Sequence, residues 1–265
     1  LLGRGKVYRK LRPIHWCVRD ETALAEAEVE YRDVKSPAIT VAFDLVPGNH
    51  PFNMDRTSIV VWTTTPWTLP ANLAVAVHPQ ADYALVECAG RRFVLAEALA
   101  EKALAKVGAV KVLGKVKGAE LEKMAYEHPF MKRRSPVVLA DYVTLTDGTG
   151  CVHTAPGHGH DDYWTGHKYG REILNPVGPN GGYDERAGMF AGKKVPAVDP
   201  EVVAQLRSTG HLLLEESITH SYPHCWRCHR PIIFRATEQW FIEVDESRAQ
   251  ALDAVRRTRW VPAWG

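Results

Sequence analysis

The sequence predicts an α+β fold in which a β-barrel-like centre carries helices packed outside it, while the two ends of the chain form a β-rich stalk. Three observations predict this. The 265 residues are 45% hydrophobic, enough to fill a sizeable core. Strand-like runs outnumber helical ones without alternating strictly with them, which argues for a barrel or sandwich and against a doubly wound sheet. Cysteines suited to metal ligation lie near both ends, at Cys17 and at Cys225 and Cys228, and a shared ion would hold those ends side by side. The division that follows is a first flank over 1–40, a central domain over 41–215 and a second flank over 216–265.

In chain order, AEAEVEY over Ala25–Tyr31 alternates small or apolar with charged side chains and reads as a half-buried strand. ITVAFDLV, SIVVWTTT, DYALVECAG and RRFVLAEAL read as strands from their β-branched and aromatic content. Leu95–Val107, followed by Gly108, has good helix formers at helical spacing. Further strands are expected at Val137–Ala140, Tyr142–Leu145 and Cys151–His153. Asn175–Gly192 holds five glycines and two prolines, too many for regular structure, and reads as a long surface loop. A helix is signalled from Asp199, with Pro200 in its first turn, to Gly210. Ile218–Val244 closes the chain's β content with IIF and QWFIEV.

Composition excludes several classes of function. With 33 basic against 31 acidic residues there is no strong field to advertise nucleic acid, although a local patch is compatible with these numbers. No apolar run approaches the length of a bilayer span and no cleavable leader pattern is present, so a soluble, cytoplasmic protein is expected. The five cysteines are scattered, which favours metal or free thiols over a disulfide framework. The chain begins at Leu1 without a methionine and stops at Trp264 and Gly265, and reads as a segment of a larger protein.

Two constellations carry chemistry. The first is CVRD at Cys17–Asp20 with CWRC at Cys225–Cys228; thiolates at this spacing grip a tetrahedral ion, and Asp20 supplies a carboxylate where a fourth cysteine would stand. Structural zinc on Cys17, Asp20, Cys225 and Cys228 is the expectation, with His15, His224 or His229 as substitutes and unliganded thiols as the alternative. The second is GTGCVHTAPGHGHDDYWTGHKYG, which sets His153, His158, His160, Asp161, Asp162 and His167 among glycines that let backbone approach a ligand. His158, His160 and Asp162 also permit a metal-dependent hydrolase. Cys151 and Cys88 read as core residues, and His50, His78, His128 and His211 as solvated or locally bonded.

A third stretch, VWTTTPWTLPANLA, places Thr63, Thr64 and Thr65 at the end of a strand that Pro66 terminates. Hydroxyls there both donate and accept, which suits a positioned water.

TTTPWTLPAN followed by GTGCVHTAPGHGHDDY resembles the editing domain inserted into bacterial-type isoleucyl-tRNA synthetase, a class I enzyme; the flanks HWCVRDETALAEAEVEY and HSYPHCWRCHRPIIFRATEQWFI resemble the segments joining that insertion to the catalytic body. The related valyl and leucyl enzymes carry an arginine after the threonines, where this chain has Thr65 and Pro66. The resemblance implies hydrolysis of mischarged valyl-tRNA(Ile), and of valyl-adenylate as a further substrate, with no cofactor for editing. Asp162 would bind the substrate ammonium group, and His153 would wall the side-chain pocket. Thr63, Thr64 and Thr65 would position water or contact the terminal adenosine. Asn72 would brace the lip or touch the nucleotide, and Trp62 is one of the aromatic surfaces on which a base can stack. Neither a HIGH-type motif nor the signature lysine motif is present, so ATP binding and aminoacylation are expected of the parent enzyme and not of this segment. Expected partners are the tRNA(Ile) 3′ end and the rest of the synthetase; the segment alone is expected to be monomeric. The competing reading is a non-catalytic RNA-binding or structural module.

Overall fold

The structure is a computed structural model that describes residues 1–48, 51–52 and 56–264; His50 and Gly265 lie outside the described residues. Two compact units are distinguished, one of Leu1–Arg12 with Thr237–Gly265 and one of Pro13–Ala236. In the smaller unit Tyr8 stacks on Phe241 at 5.6 Å, Lys6 pairs with Glu246 at 2.6 Å, and helix Asp245–Arg257 buries no residue.

The larger unit is organised by two mixed sheets. Strands β1 (Val7–Cys17) and β2 (Thr22–Ala23) are followed by β3 (Val29–Asp44), β4 (Thr57–Thr63), β5 (Ala74–Val77), β6 (Asp82–Cys88), β7 (Arg91–Ala96) and β8 (Lys111–Lys117). After them come β9 (Ala125–Glu127), β10 (Arg134–Leu139), β11 (Cys151–Thr154), β12 (Leu212–Cys225) and β13 (Ile233–Ile242). The six-stranded sheet has the order β12-β3-β4-β7-β6-β8, the four-stranded sheet β11-β5-β10-β9, and a third sheet joins β13, β1 and β2. Helices α1 (Glu97–Leu104), α2 (His160–Lys168) and α3 (Asp199–Ser208) pack around them, ahead of α4 (Asp245–Arg257).

Alternation along β3 explains the layering. Ile39, Val41 and Phe43 face the main core with Ile59, Val61, Val75, Val77 and Val137, while Ala42 faces away, joining Val60, Phe93 and Leu95 beneath Ala100 and Leu104 of α1. Both faces of the sheet centre are therefore covered, and β3 is buried without interruption from Ala38 to Phe43.

Four expectations change. No sheet among the described residues closes into a barrel; each has two terminal strands, so the α+β character stands and the closed form does not. Ala25–Tyr31 is not one strand: Glu26–Glu28 is a 3-10 turn in which Glu28 Oε2 accepts the Ala25 N–H at 2.9 Å, and β3 begins at Val29. Tyr142–Leu145 is not a strand, because the chain turns after Ala140, whose carbonyl accepts the Val143 N–H. Asn175–Gly192 is neither wholly irregular nor superficial: Glu185–Phe190 is a 3-10 helix, and Val177, Tyr183, Ala187 and Phe190 join the main core. No helix among the described residues is long and apolar enough to cross a membrane.

Candidate functional site

The threonine stretch forms one wall of a cleft of about 340 Å³. Strand β4 is held antiparallel to β3 and parallel to β7, which fixes the height at which Thr63 ends it. Pro66 then opens a 3-10 helix over Pro66–Ala71 whose residues are all buried. The Trp67 peptide anchors that turn from both sides: its N–H donates to Asp199 Oδ1 at 2.8 Å and its carbonyl accepts the Tyr183 hydroxyl.

Within this frame the hydroxyls form a chain. Thr63 Oγ1 accepts the Thr65 N–H at 3.1 Å and lies 3.2 Å from Thr65 Oγ1, which lies 3.4 Å from Thr68 Oγ1. The Thr68 hydroxyl donates to the Thr65 carbonyl at 2.8 Å and meets His153 Nε2 at 2.8 Å. On the other side of the imidazole, the Asn72 amide nitrogen lies 2.8 Å from Nδ1 and 2.9 Å from the Ala74 carbonyl. Asn72 Oδ1 accepts the Tyr126 hydroxyl at 2.5 Å, and Arg133 donates to the Asn72 and Pro70 carbonyls at 2.8 Å each.

These bonds assign the tautomer. The Asn72 amide can only donate, so Nδ1 accepts, the proton sits on Nε2, and Nε2–H donates to Thr68, whose own proton is committed to Thr65. Burial, with the nearby His158, pushes the His153 pKa down to about 3, so the ring is neutral at physiological pH. Both ring nitrogens are engaged internally, so His153 offers the cleft a fixed wall and not a proton-transfer group. Asn72 is fully buried beneath it and braces the wall without reaching the cleft surface.

The opposite side comes from the glycine-rich segment. β11 pairs with β5, setting His153 across from Val75, and α2 begins after Gly159. Asp162, in the first turn of α2, turns back so that Oδ2 accepts the Ala155 N–H at 2.8 Å. A Cβ on Gly159 would come within 2.8 Å of Asp162 Cγ, which is why the approach needs glycine there. Desolvation raises the Asp162 pKa to about 7; the Ala155 N–H opposes the rise and the Asp161 charge adds to it.

Trp62, Thr63, Thr64, Thr65, His153 and Asp162 are thus brought together around one cleft. The charged lining residues are Asp147 and Asp162, with no lysine or arginine among them. Such a cleft favours an amine cation over an anion. Thr68, Gly148, Thr149 and Thr144 also line it; Thr68 lies within the threonine stretch and Gly148 and Thr149 open the glycine-rich segment, but neither motif marks them as site residues, and Thr144 lies outside both. Thr68 carried a usable signal, standing three residues after Thr65 in the turn that Pro66 starts.

The metal-dependent hydrolase arrangement is not assembled. His160 is exposed beside Trp164, and His158 Nδ1 donates to the Phe234 carbonyl at 3.0 Å, its ring edge-on to Trp67 at 5.1 Å. Burial lowers the His158 pKa to about 4. Among the described residues one group could hold a metal: Cys17, Asp20, Cys225 and Cys228, whose ligand atoms all lie within 4.8 Å of one another. Cys17 Sγ is 3.5 Å from Cys228 Sγ, and Asp20 Oδ2 is 3.4 Å from both Cys17 Sγ and Cys225 Sγ, compact enough for a tetrahedral ion. His15 packs on Phe234, His224 bonds to the Tyr222 carbonyl and His229 to Arg32, so none substitutes. Cys88 and Cys151 are buried, and His128, expected to be solvated or locally bonded, is buried and bonded to Leu69.

Comparison with known proteins gives a consistent picture. The sequence model of class I tRNA synthetases (I, L, M and V) matches residues 1–265. The chain is 53% identical over 273 residues to isoleucine–tRNA ligase of Nitratidesulfovibrio vulgaris (strain Miyazaki F), covering 100% of this chain and 29% of that protein. It is 48% identical over 269 residues to the Petrotoga mobilis protein of the same name, again covering 100% and 29%. Against the Carboxydothermus hydrogenoformans protein of that name identity is 50% over 266 residues, covering 99% and 28%. The chain thus spans less than a third of the length of these relatives. Among solved structures, that of GlLeuRS-CP1 superposes with a TM-score of 0.54 at 15% identity, covering 68% of this chain and 98% of that one; the likeness is one of fold.

Proposed function

The chain belongs to the class I tRNA synthetases of the I, L, M and V group, and on that premise we propose that it is the editing segment of an isoleucyl-tRNA synthetase, hydrolysing the ester between valine and the terminal adenosine of tRNA(Ile). The observation that carries this reading is the cleft itself: a desolvated carboxylate, Asp162, faces hydroxyls and a neutral, immobilised imidazole, with no lysine or arginine in the lining.

The need for such a site is energetic. One methylene in an apolar pocket is worth only about 1–3 kcal/mol, a general magnitude known for isoleucine against valine on this enzyme and not obtained from this structure. A second pocket that admits valine and excludes isoleucine supplies the missing discrimination. The ammonium group of the valyl ester binds Asp162, and its charge draws the carboxyl back toward ionisation. The side chain lies against His153, which cannot yield because Thr68 and Asn72 hold both nitrogens. Thr64 and Thr65, half-exposed on the lip, position the attacking water and donate to the oxyanion, with Thr63 locked behind them. With His153 engaged and Asp162 paired to the ammonium group, the rate comes from positioning and hydrogen bonding, helped by the ribose hydroxyl beside the ester. Valyl-adenylate carries the same ammonium and side chain and is a second substrate.

Residues 41–215 are the editing body in this reading, and 1–40 and 216–265 the flanks that join it to the parent enzyme. β3 and β12, paired from Val41 and Leu212 to Val29 and Cys225, run through both boundaries as one ribbon. Zinc on Cys17, Asp20, Cys225 and Cys228 would fasten the foot of that stalk and take no part in hydrolysis. The partners are the charged tRNA 3′ end and the remainder of the synthetase.

The test is hydrolysis of valyl-tRNA(Ile) by the wild-type chain and by Asp162→Ala. The reading expects loss in the variant; hydrolysis that survives the substitution would remove Asp162 from its assigned role.

A further inference from the structure

The cleft continues past Trp62 into a second depression of about 610 Å³, with which it shares Trp62, Asp147 and Gly148. Lys102, in the last turn of α1, and Lys106, in the turn that follows the helix, stand along this depression, with Leu214 and Ile218 of β12 as its apolar lining. We propose that it is the exit groove for the RNA strand: the nucleotide preceding the terminal adenosine stacks on Trp62, and its phosphates are taken by Lys102 and Lys106. This rests on the editing reading, since it supplies the path for the polynucleotide that carries the ester.

Three features support the assignment. Trp62 is half-exposed and is paired with Thr40 across β3, so its position is fixed by the sheet while a face remains for a base. Gly148, at φ +75°, lies against that indole and lines both the cleft and the groove, so the two depressions meet beside Trp62. The lysines are held only by exposed carboxylates: Lys102 by Asp147 at 3.0 Å, with side chains 68% and 75% exposed, and Lys106 by Glu216, with 68% and 36%. Pairs so exposed contribute little, and a phosphate can displace them.

The other route out of the cleft is less suitable. A cavity of about 420 Å³ shares Thr64 and Thr65 with the cleft but is walled by Trp67, Tyr222, Pro196 and Pro231, with the Asp199 carboxyl inside and Lys35 as its one cation. A polyanion finds one lysine there against two along the groove, where Asp147 and Glu216 are already paired with those lysines.

The experiment measures binding of an uncharged single-stranded oligoribonucleotide ending in the tRNA 3′ sequence, by fluorescence anisotropy between 50 and 200 mM salt, alongside hydrolysis of valyl-adenosine. Lys102→Ala/Lys106→Ala is expected to weaken binding at least fivefold at 50 mM salt. It should also lower the slope of log K against log salt by about 1.4, at about 0.7 for each phosphate of a single strand that a lysine no longer neutralises. Hydrolysis of valyl-adenosine, which has no phosphate, should remain as in wild type, and Lys102→Arg/Lys106→Arg should retain binding. Unchanged oligonucleotide affinity and slope in the alanine variant would overturn the groove assignment. Failure of the editing reading would register separately, as oligonucleotide binding with no hydrolysis of valyl-adenosine by the wild-type chain.

Discussion

Asp162 offers the most quantitative prediction, because its proposed role and its cost to the fold arise from the same desolvation. Its pKa stands at about 7 against an ordinary 3.8. At about 1.4 kcal/mol per pH unit this sets a ceiling of roughly 4 kcal/mol. The side chain is only half-buried and solvent enters the cleft, so the working figure is about 1–2 kcal/mol. The sign follows from proton binding. Between about pH 4 and pH 7 the folded chain holds a proton on Asp162 that the unfolded chain has released, so stability from this group declines across that window and the penalty is complete above about pH 7. Asp162→Asn keeps an acceptor for the Ala155 N–H and removes the charge. It is therefore expected to melt about 2–8 °C above wild type at pH 8, at roughly 2–4 °C per kcal/mol for a chain of this size, and level with it at pH 4. Thermal unfolding followed by circular dichroism at pH 4, 5.5, 7 and 8 measures this. A variant no more stable than wild type at pH 8 would refute the claim that the carboxylate is desolvated. The same variant is expected to lose hydrolysis of the valyl ester, and wild-type kcat/KM to rise with pH through about 7 as the free carboxyl ionises.

Other expectations follow from the same geometry. His153→Ala empties one wall and strands Thr68 and Asn72, so isoleucyl-tRNA(Ile) should become a substrate while stability falls by about 1–3 kcal/mol for each buried partner left unpaired; unchanged selectivity would remove His153 from the pocket wall. Gly159→Ala pushes a methyl against Asp162 Cγ, and kcat/KM for the valyl ester should drop at least tenfold with little change in melting temperature; full activity would mean that Asp162 can move aside without consequence. Removal of metal by chelator should lower the melting temperature of a zinc-loaded chain and leave its hydrolysis rate per folded molecule unchanged, and Cys225→Ser should reproduce the melting effect.

How much was readable in the sequence depended on whether a residue acts through its neighbours in the chain. The end of β4 was legible because an apolar run, three threonines and Pro66 are contiguous. The pairing of Cys17 and Asp20 with Cys225 and Cys228 was also legible, since metal-ligand chemistry names its own partners. What immobilises His153 was not: Thr68 reaches it across 85 positions, and Tyr126 reaches Asn72 across 54. α2 was not assigned from the sequence because Gly159 and Gly166 weaken the helical pattern there, whereas Gly166 lies so close to Pro156 that a Cβ would stand 2.6 Å from its Cγ, and helix packing there requires glycine. Asn175–Gly192 misled in the opposite direction: its glycines predicted exposure, yet Tyr183 and Phe190 are buried and the Tyr183 hydroxyl helps anchor the threonine lip. Backbone irregularity and surface location are separate properties, and composition speaks only to the first.

The central claim is selective hydrolysis, and it is tested most directly by following the decay of valyl-tRNA(Ile) and isoleucyl-tRNA(Ile) in parallel with the purified chain, with and without chelator. The account predicts that the valyl ester is lost at a rate chelator does not change and that the isoleucyl ester persists. Equal rates for the two esters, or hydrolysis abolished by chelator while the chain stays folded, would contradict it.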